Sequence, residues 1–434
     1  MSMFRRPKKP SSRPDLRAAG MVLQTPVHSP LTVARKHLKV RVKTLGRRQP
    51  ALRNLPVELL DLVASHLFND PRSLSALALT NRTWYRVLRP HIYRAVTFKS
   101  LLSFKVFLRA IKNSDILAEW VYEIFLDFSP IPEVYGELDP DTTWQIETAL
   151  IDTLPQISKA FLRLHLLGLR GVTLIHLRKW KLLRAVFASM AEMVMVDTLI
   201  LQNCTFPKDV AGWFVRGLPC VQVVTLENCW AHNVEIGWLP TPYLPRNRFH
   251  TLSIVQSKTR LYNDFVEYDL YEVLPIFGVT RVRLSIDTPI EANSYVRFVN
   301  SLGKEVEVLS LSISLPPSRL ETKVFLQSIT LKRLINLKTL EFDLMNYEDV
   351  VEFIPTISSK ILKKVTILNF SPLPKTQISR CQEVDSRLSD LGSLTTVVVT
   401  YDGSIPLKFI AKDVQRSFPI LWSRGFVSLV HRGR

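Results

Sequence analysis

Residues 196–229 read VDTLILQNCTFPKDVAGWFVRGLPCVQVVTLENC, and one short pattern stands at both ends of the stretch. Val196, Leu199 and Leu201 follow an apolar-x-x-apolar-x-apolar order, and Val221, Val224 and Leu226 repeat it 25 residues later. The last two residues of each triplet are two apart, the period of a strand that buries one face. Three residues beyond each triplet comes a cysteine, Cys204 or Cys229, where the chain bends and a small buried side chain is wanted. Val210 to Val215, between the triplets, has the spacing of a short helix. A strand with one returning helix cannot bury its apolar face alone, so the pattern predicts a stack of such units.

The pattern extends in both directions. It stands at Val121/Ile124/Leu126 and Phe161/Leu164/Leu166 on one side. On the other it continues at Phe249/Leu252/Ile254, Val279/Val282/Leu284, Val306/Leu309/Leu311, Leu337/Leu340/Phe342, Leu362/Val365/Ile367 and Leu394/Val397/Val399, making ten copies. The intervals run from 25 to 40 residues, most of them in or slightly above the range of a leucine-rich repeat. Helix-like stretches fill the gaps, at Trp180 to Met193, Glu291 to Leu302, Lys323 to Leu334 and Leu407 to Phe418. The expected fold is therefore α/β: a right-handed leucine-rich-repeat-like solenoid over residues 96–434, its parallel strands lining the inner face. A doubly wound α/β sheet also alternates strands and helices, but ten irregular units favour the solenoid. Residues between the inward apolar positions point out of the inner face and are the expected target contacts. They are Glu123, Asp127, Gln202, Glu227, Arg281, Arg283, Glu341, Asp343 and Lys364. Arg281 and Arg283 suit a charged or phosphorylated segment, the alternative being that all nine are solvated strand edges.

Upstream, residues 55–94 read LPVELLDLVASHLFNDPRSLSALALTNRTWYRVLRPHIYR. Leu55-Pro56 predicts a helix start with proline at the first helical position and Glu58 at the third. Leu59, Leu60, Val63 and Leu67 trace one apolar stripe. Asp70-Pro71 repeats the start signal with Asp70 as cap, and Leu74, Leu77 and Leu79 follow. A third helix carries Trp84, Tyr85, Val87 and Leu88, with Pro90 as its expected stop. Three helices in so few residues cannot bury every apolar side chain among themselves, so a surplus must face a partner or a following domain.

The order LPxELLxxVxxHL followed by LxxLxLxNRxWYxVLxP closely resembles an F-box over residues 52–94. The resemblance implies docking on the Skp adaptor of SCF-type ubiquitin ligases and, through it, a cullin. Leu55, Pro56, Leu59, Leu60, Val63 and Leu67 would form much of that contact, and Leu77 and Trp84 would pack the helices or share in it. With the repeats, the chain is similar to F-box proteins with divergent leucine-rich repeats, a kind abundant in fungi. That implies a non-catalytic substrate receptor whose protein target the sequence does not name. A scaffold without a role in degradation, or a chromatin-associated adaptor using a basic tail, is the alternative.

Composition narrows the rest. Of the net +19, residues 1–50 hold 13 Lys or Arg against one acid, Asp15, so +12 lies in a Pro- and Ser-containing tail and +7 in the remainder. Such a segment is expected to be disordered, and Phe4 to Pro10 suits a nuclear import signal or a phosphate backbone. The domain division is thus a tail at 1–50, an F-box at 51–95 and the solenoid at 96–434. The longest apolar candidate for a membrane span, Ala185 to Leu201, is interrupted by Glu192 and Asp197. Cys204, Cys220, Cys229 and Cys381 form no C-x-x-C and no disulfide framework, which points to a reducing compartment, cytoplasmic or nuclear. No phosphate loop, zinc-protease or nucleophile-elbow motif occurs, so no catalytic residue, metal or cofactor is expected. His66 and His91 are expected at the F-box surface, and Asp139 and Asp141 in a loop from Pro130 to Pro140.

Overall fold

Twelve strands carry the same two inward positions, and hydrogen bonding sets those positions side by side in continuous columns. The computed structural model describes residues 56–67, 70–129, 140–172, 174, 180–207, 215, 217–232, 249–256, 267–269, 278–286, 292–313, 328–343, 353–370, 375–402 and 404–432. The basic tail, Leu55, Phe68, Asn69, Asp139, nearly all of Val210 to Val215 and the first half of Lys323 to Leu334 lie outside them.

Three helices come first: α1 (Val57–His66), α2 (Pro71–Ala78) and α3 (Arg82–Tyr93). Leu60 and Ala64 of α1 meet Leu74, Ala78, Trp84 and Leu88 in a small core separate from the main one. Pro56 sits at the cap with extended backbone and Val57 opens α1, so Glu58 falls one position earlier than expected and no side chain caps this end. Asp70 caps α2 as expected, accepting from Ser73 N at 3.1 Å. Asn81 caps α3, accepting from Trp84 N at 2.9 Å. Pro90 does not stop α3, which runs three residues past it. A proline removes one N–H, and the packing of Leu88 and Ile92 on the small core carries the helix over the gap.

Only Arg94 separates α3 from the first strand, β1 (Ala95–Phe98). Then follow α4 (Leu101–Lys112), α5 (Asp115–Glu119), β2 (Glu123–Asp127), α6 (Pro140–Ala160), β3 (Leu166–Arg170) and α7 (Trp180–Ala191). Asp141 belongs to α6 and not to a loop. The chain continues through β4 (Thr198–Gln202), β5 (Thr205–Pro207), β6 (Val223–Glu227), β7 (Trp230–His232), β8 (Thr251–Gln256), β9 (Glu267–Asp269) and β10 (Arg281–Ile286). The last part holds α8 (Ala292–Ser301), β11 (Val308–Ile313), β12 (Thr339–Asp343), β13 (Lys364–Phe370), α9 (Lys375–Ser389) and β14 (Thr396–Asp402). Two helices, α10 (Leu407–Ser417) and α11 (Pro419–Ser423), precede the final strand, β15 (Val427–Arg432).

The long sheet runs β1-β2-β3-β4-β6-β8-β10-β11-β12-β13-β14-β15, and its neighbours pair in parallel. β5, β7 and β9 form a separate small sheet. Sequential parallel order means that each connection crosses back over one face, the layout of a solenoid-like repeat domain. One column joins Val96, Ile124, Leu167, Leu199 and Val224, and the next joins Phe98, Leu126, Leu169, Leu201 and Leu226. Both columns are buried in a single core that reaches from Val96 to Leu421. At about 1.5–3 kcal/mol per fully buried aliphatic side chain, these columns are the main source of cohesion.

One expected copy is out of register. Leu164 leads, Leu167 and Leu169 point inward, and Leu166 pairs with Glu123 on the opposite face. Phe161, buried against Phe107, supplied the false start. Two further strands belong to the sheet, β1 and β15. Residues 328–334 are turn and coil, not helix, because their N–H groups bond elsewhere: Thr330 N donates to Asn300 Oδ1 at 2.8 Å and Leu331 N to Thr356 Oγ1 at 2.9 Å.

The chain turns at Asn203 and Asn228, just past β4 and β6, and is irregular at Asn369 inside β13; their φ values of 51°, 50° and 54° are left-handed. The cysteines that follow two of these turns are buried as expected. Cys204 Sγ lies 3.5 Å from Leu169 O and Cys229 Sγ 3.3 Å from Leu201 O, each reaching the strand before its own. Burial pushes the Cys229 thiol well above its ordinary range, in keeping with its packing against Leu201 O.

Candidate functional site

Two surfaces collect the residues the sequence singled out: one face of α1, and the face of the long sheet opposite the core.

On α1, Leu60 and Ala64 face inward, leaving Leu59, Leu62 and Val63 on the other side at i, i+3 and i+4. Leu59 is 47% exposed and Leu62 54%. Val57 at the helix start, Leu79 after α2 (75% exposed) and Tyr85 on α3 are further exposed apolar residues of the three-helix unit. Exposed large apolar groups gathered on one small unit are the mark of an interaction face.

The residues expected at the adaptor contact divide accordingly. Pro56, Leu59 and Val63 are exposed. Leu67 and Leu77 are half-buried against the small core. Leu60, only 2% exposed, is corrected to a core residue, since the stripe of four leucines and valines spans two faces. Trp84, 7% exposed, takes the packing role of the two considered for it. Leu62, Leu79 and Tyr85 are exposed apolar residues outside the expected contact set, and Leu59-x-x-Leu62-Val63 has the spacing of a second stripe.

The unit is fastened on two sides. His91 Nε2 meets Asp61 Oδ1 at 2.7 Å, tying α3 to α1, so His91 is partly covered and not simply at the surface. Arg89 lies with its guanidinium 5.2 Å from the Tyr85 ring and 5.1 Å from that of Trp120, joining α3 to the end of α5, where Trp120 is the C-cap. Tyr93 packs on Phe107, and Arg94 reaches Tyr122 at 5.8 Å and Glu123 at 3.9 Å.

The open face of the sheet is unequal along its length. Across β2 to β6 its polar groups are spent on one another. Arg170 donates to Gln202 Oε1 at 2.8 and 2.6 Å and lies 3.5 Å from Asp127 Oδ2, and Gln202 Nε2 donates to Glu227 Oε2 at 2.7 Å. Asp127, Gln202 and Glu227, expected as target contacts, therefore form an internal ladder, and Gln202 is buried. Glu123 lies beside Arg94. Asp343, also expected there, is buried and accepts from Asn369 Nδ2 at 2.6 Å. Arg281, Arg283 and Lys364 are exposed and Glu341 is half-exposed. Beside the ladder, the ring of Phe125 lies over Gly168, where any β-carbon would overlap it.

Residues 52–133 match the model of a family described as the COS11 F-box domain. These residues form an F-box domain of that kind. The matched stretch runs through β2, past the three helices, and Arg89, Tyr93 and Arg94 bind α3 to the elements after it. No curated protein matches the chain. Among solved structures it is similar to a chain of the Rad7 and Elc1 complex in yeast, at 15% identity over 87% of this chain and 93% of that one, with a TM-score of 0.31. A superposition that loose says nothing about chemistry or partners here.

Among the described residues, no group of three or more His, Cys, Asp and Glu side chains is placed to hold a metal ion. No described helix is long and apolar enough to cross a membrane.

Proposed function

We propose that this chain is the target-recognition subunit of an SCF-type ubiquitin ligase. The F-box docks a Skp-type adaptor, the adaptor joins a cullin, and the open face of the sheet holds a protein target. The observation that carries the reading is the second apolar stripe of α1: Leu59, Leu62 and Val63 stay exposed after Leu60 and Ala64 have filled the core. The chain itself performs no chemistry in this scheme. Tethering raises the effective concentration of target lysines near the ubiquitin-charged enzyme, and the rate follows from proximity. In this reading residues 51–95 are the docking unit, 96–434 the recognition unit and 1–50 a basic tail, in a protein of the cytoplasm or nucleus.

The test is capture of a purified Skp adaptor by the full chain, beside the Pro56→Ala/Leu59→Asp variant. Capture by the wild type, and its loss in a variant with an unchanged circular dichroism spectrum, supports the proposal. No capture by the wild type sinks it. Capture of the adaptor without a cullin favours a scaffold outside degradation.

A further inference from the structure

The open face changes character between β6 and β10. On the β2 to β6 side, side-chain amides, carboxylates and Arg170 satisfy one another. On the β10 to β13 side Asn369 donates to Asp343, but the cations that face outward on β10 and β13 are left out of such pairing. Arg281 and Arg283, two apart on one strand, both point away from the core because Val282 and Leu284 point into it. Lys338 and Lys363 stand immediately before β12 and β13, where Lys363 N donates to Lys338 O at 3.0 Å, and Lys364 is the first residue of β13. Lys338 is paired with Glu307 at 2.8 Å. Arg281, Arg283, Lys363 and Lys364 have no ion pair among the described residues.

The floor between these cations is small and hydroxylated. Register sets Ser253, Arg283, Ser310, Glu341 and Thr366 in one row across five strands. Ser310 and Thr366 are buried beneath their longer neighbours, and Thr366 Oγ1 has no hydrogen-bond partner among the described residues. Val365 and Ile367 face the core, so the Thr366 side chain lies on the open-face side, its hydroxyl covered by its neighbours.

We propose that the β10 to β13 part of the open face binds an extended acidic segment of a target protein, its Asp and Glu carboxylates set against Arg281, Arg283, Lys363 and Lys364. The inference deepens the target-receptor reading and rests on it. Three strand steps span about 14 Å, the reach of some four extended residues. The cations are spread along that length and do not converge on one point, which suits several carboxylates better than a single phosphate. Glu341 stands in the same row as Arg283. A peptide can offer it a lysine or a hydroxyl, whereas a nucleic acid would bring a phosphate against it.

The test uses the full chain and a fluorescent peptide of alternating Glu and Ser, read by anisotropy. Two double variants carry the same change of net charge: Arg281→Glu/Arg283→Glu on the sheet, and Lys408→Glu/Lys412→Glu on the exposed side of α10. The sheet variant is expected to bind about ten- to hundredfold more weakly, and the helix variant much like the wild type. Equal binding by all three would assign the affinity to the basic tail and overturn the proposal. So would the absence of peptide binding by the wild type, or tighter binding of single-stranded DNA with the same loss in the sheet variant. Adaptor capture is measured on every variant. It reports folding of the docking unit and keeps failure of the ligase reading apart from failure of this one.

Discussion

Leu59 and Leu60 are neighbours in sequence with opposite duties, and substitutions separate them. Leu60→Ala opens a cavity in the small core and is expected to cost about 2–5 kcal/mol, and Trp84→Ala about 3–5 kcal/mol, both visible as a lowered midpoint in denaturant. Leu59→Asp removes no core contact. It is expected to leave the unfolding midpoint within about 0.5 kcal/mol of the wild type while abolishing adaptor capture, and a large loss of stability instead would return Leu59 to the core. The sequence alone did not separate the pair, because four apolar residues at 59, 60, 63 and 67 read as one stripe on a helix packed on one side only. Exposure divides them into two. Gly168 gives a test on the sheet: a methyl group there displaces the Phe125 ring, and Gly168→Ala is expected to destabilise by about 1–3 kcal/mol.

At the scale of elements, Asp385 locks the last helices together. Its carboxylate, buried on α9, accepts from Ile420 N at 2.7 Å and Leu421 N at 3.0 Å in the first turn of α11. Burial raises its pKa above 3.8 despite those two donors. A carboxyl raised in the folded state adds stability that is complete below its unfolded pKa and lost as pH rises through its folded one. Wild type should therefore gain on Asp385→Asn as pH is lowered from 7 towards 4. Paired denaturant titrations read the difference, and a constant gap would refute the assignment. The elements themselves were mostly readable beforehand, because a two-residue burial period repeated nine times in correct register is hard to imitate by chance. What escaped had local causes. Tyr93/Val96/Phe98 fits the pattern but runs directly out of a helix, and β15 lacks the leading apolar residue, with Arg424 in its place. Propensity alone makes Pro90 a stop, and tertiary packing of Leu88 and Ile92 carries α3 past it.

For the whole molecule, the nine open-face residues expected as target contacts fell into two groups that sequence could not tell apart. A glutamine directly after a buried leucine reads the same whether it greets solvent or an arginine on the neighbouring strand. Only the register brings Arg170 beside Gln202. The division predicts that Asp127→Ala lowers stability and leaves target binding intact, a result that separate melting and binding measurements would expose.

The short joint at Arg94 has a consequence for distance. With one residue between α3 and β1, and Arg89 and Arg94 clamped on both sides, the F-box has no slack against the first strand. From β1 the sheet then serves as a ruler. Six strand steps separate β1 from β10, about 29 Å at the spacing of paired strands. Whatever rests on Arg281 is held at a fixed count of repeats from the docking end, and deleting one repeat would bring it nearer by a single graduation of about 4.8 Å.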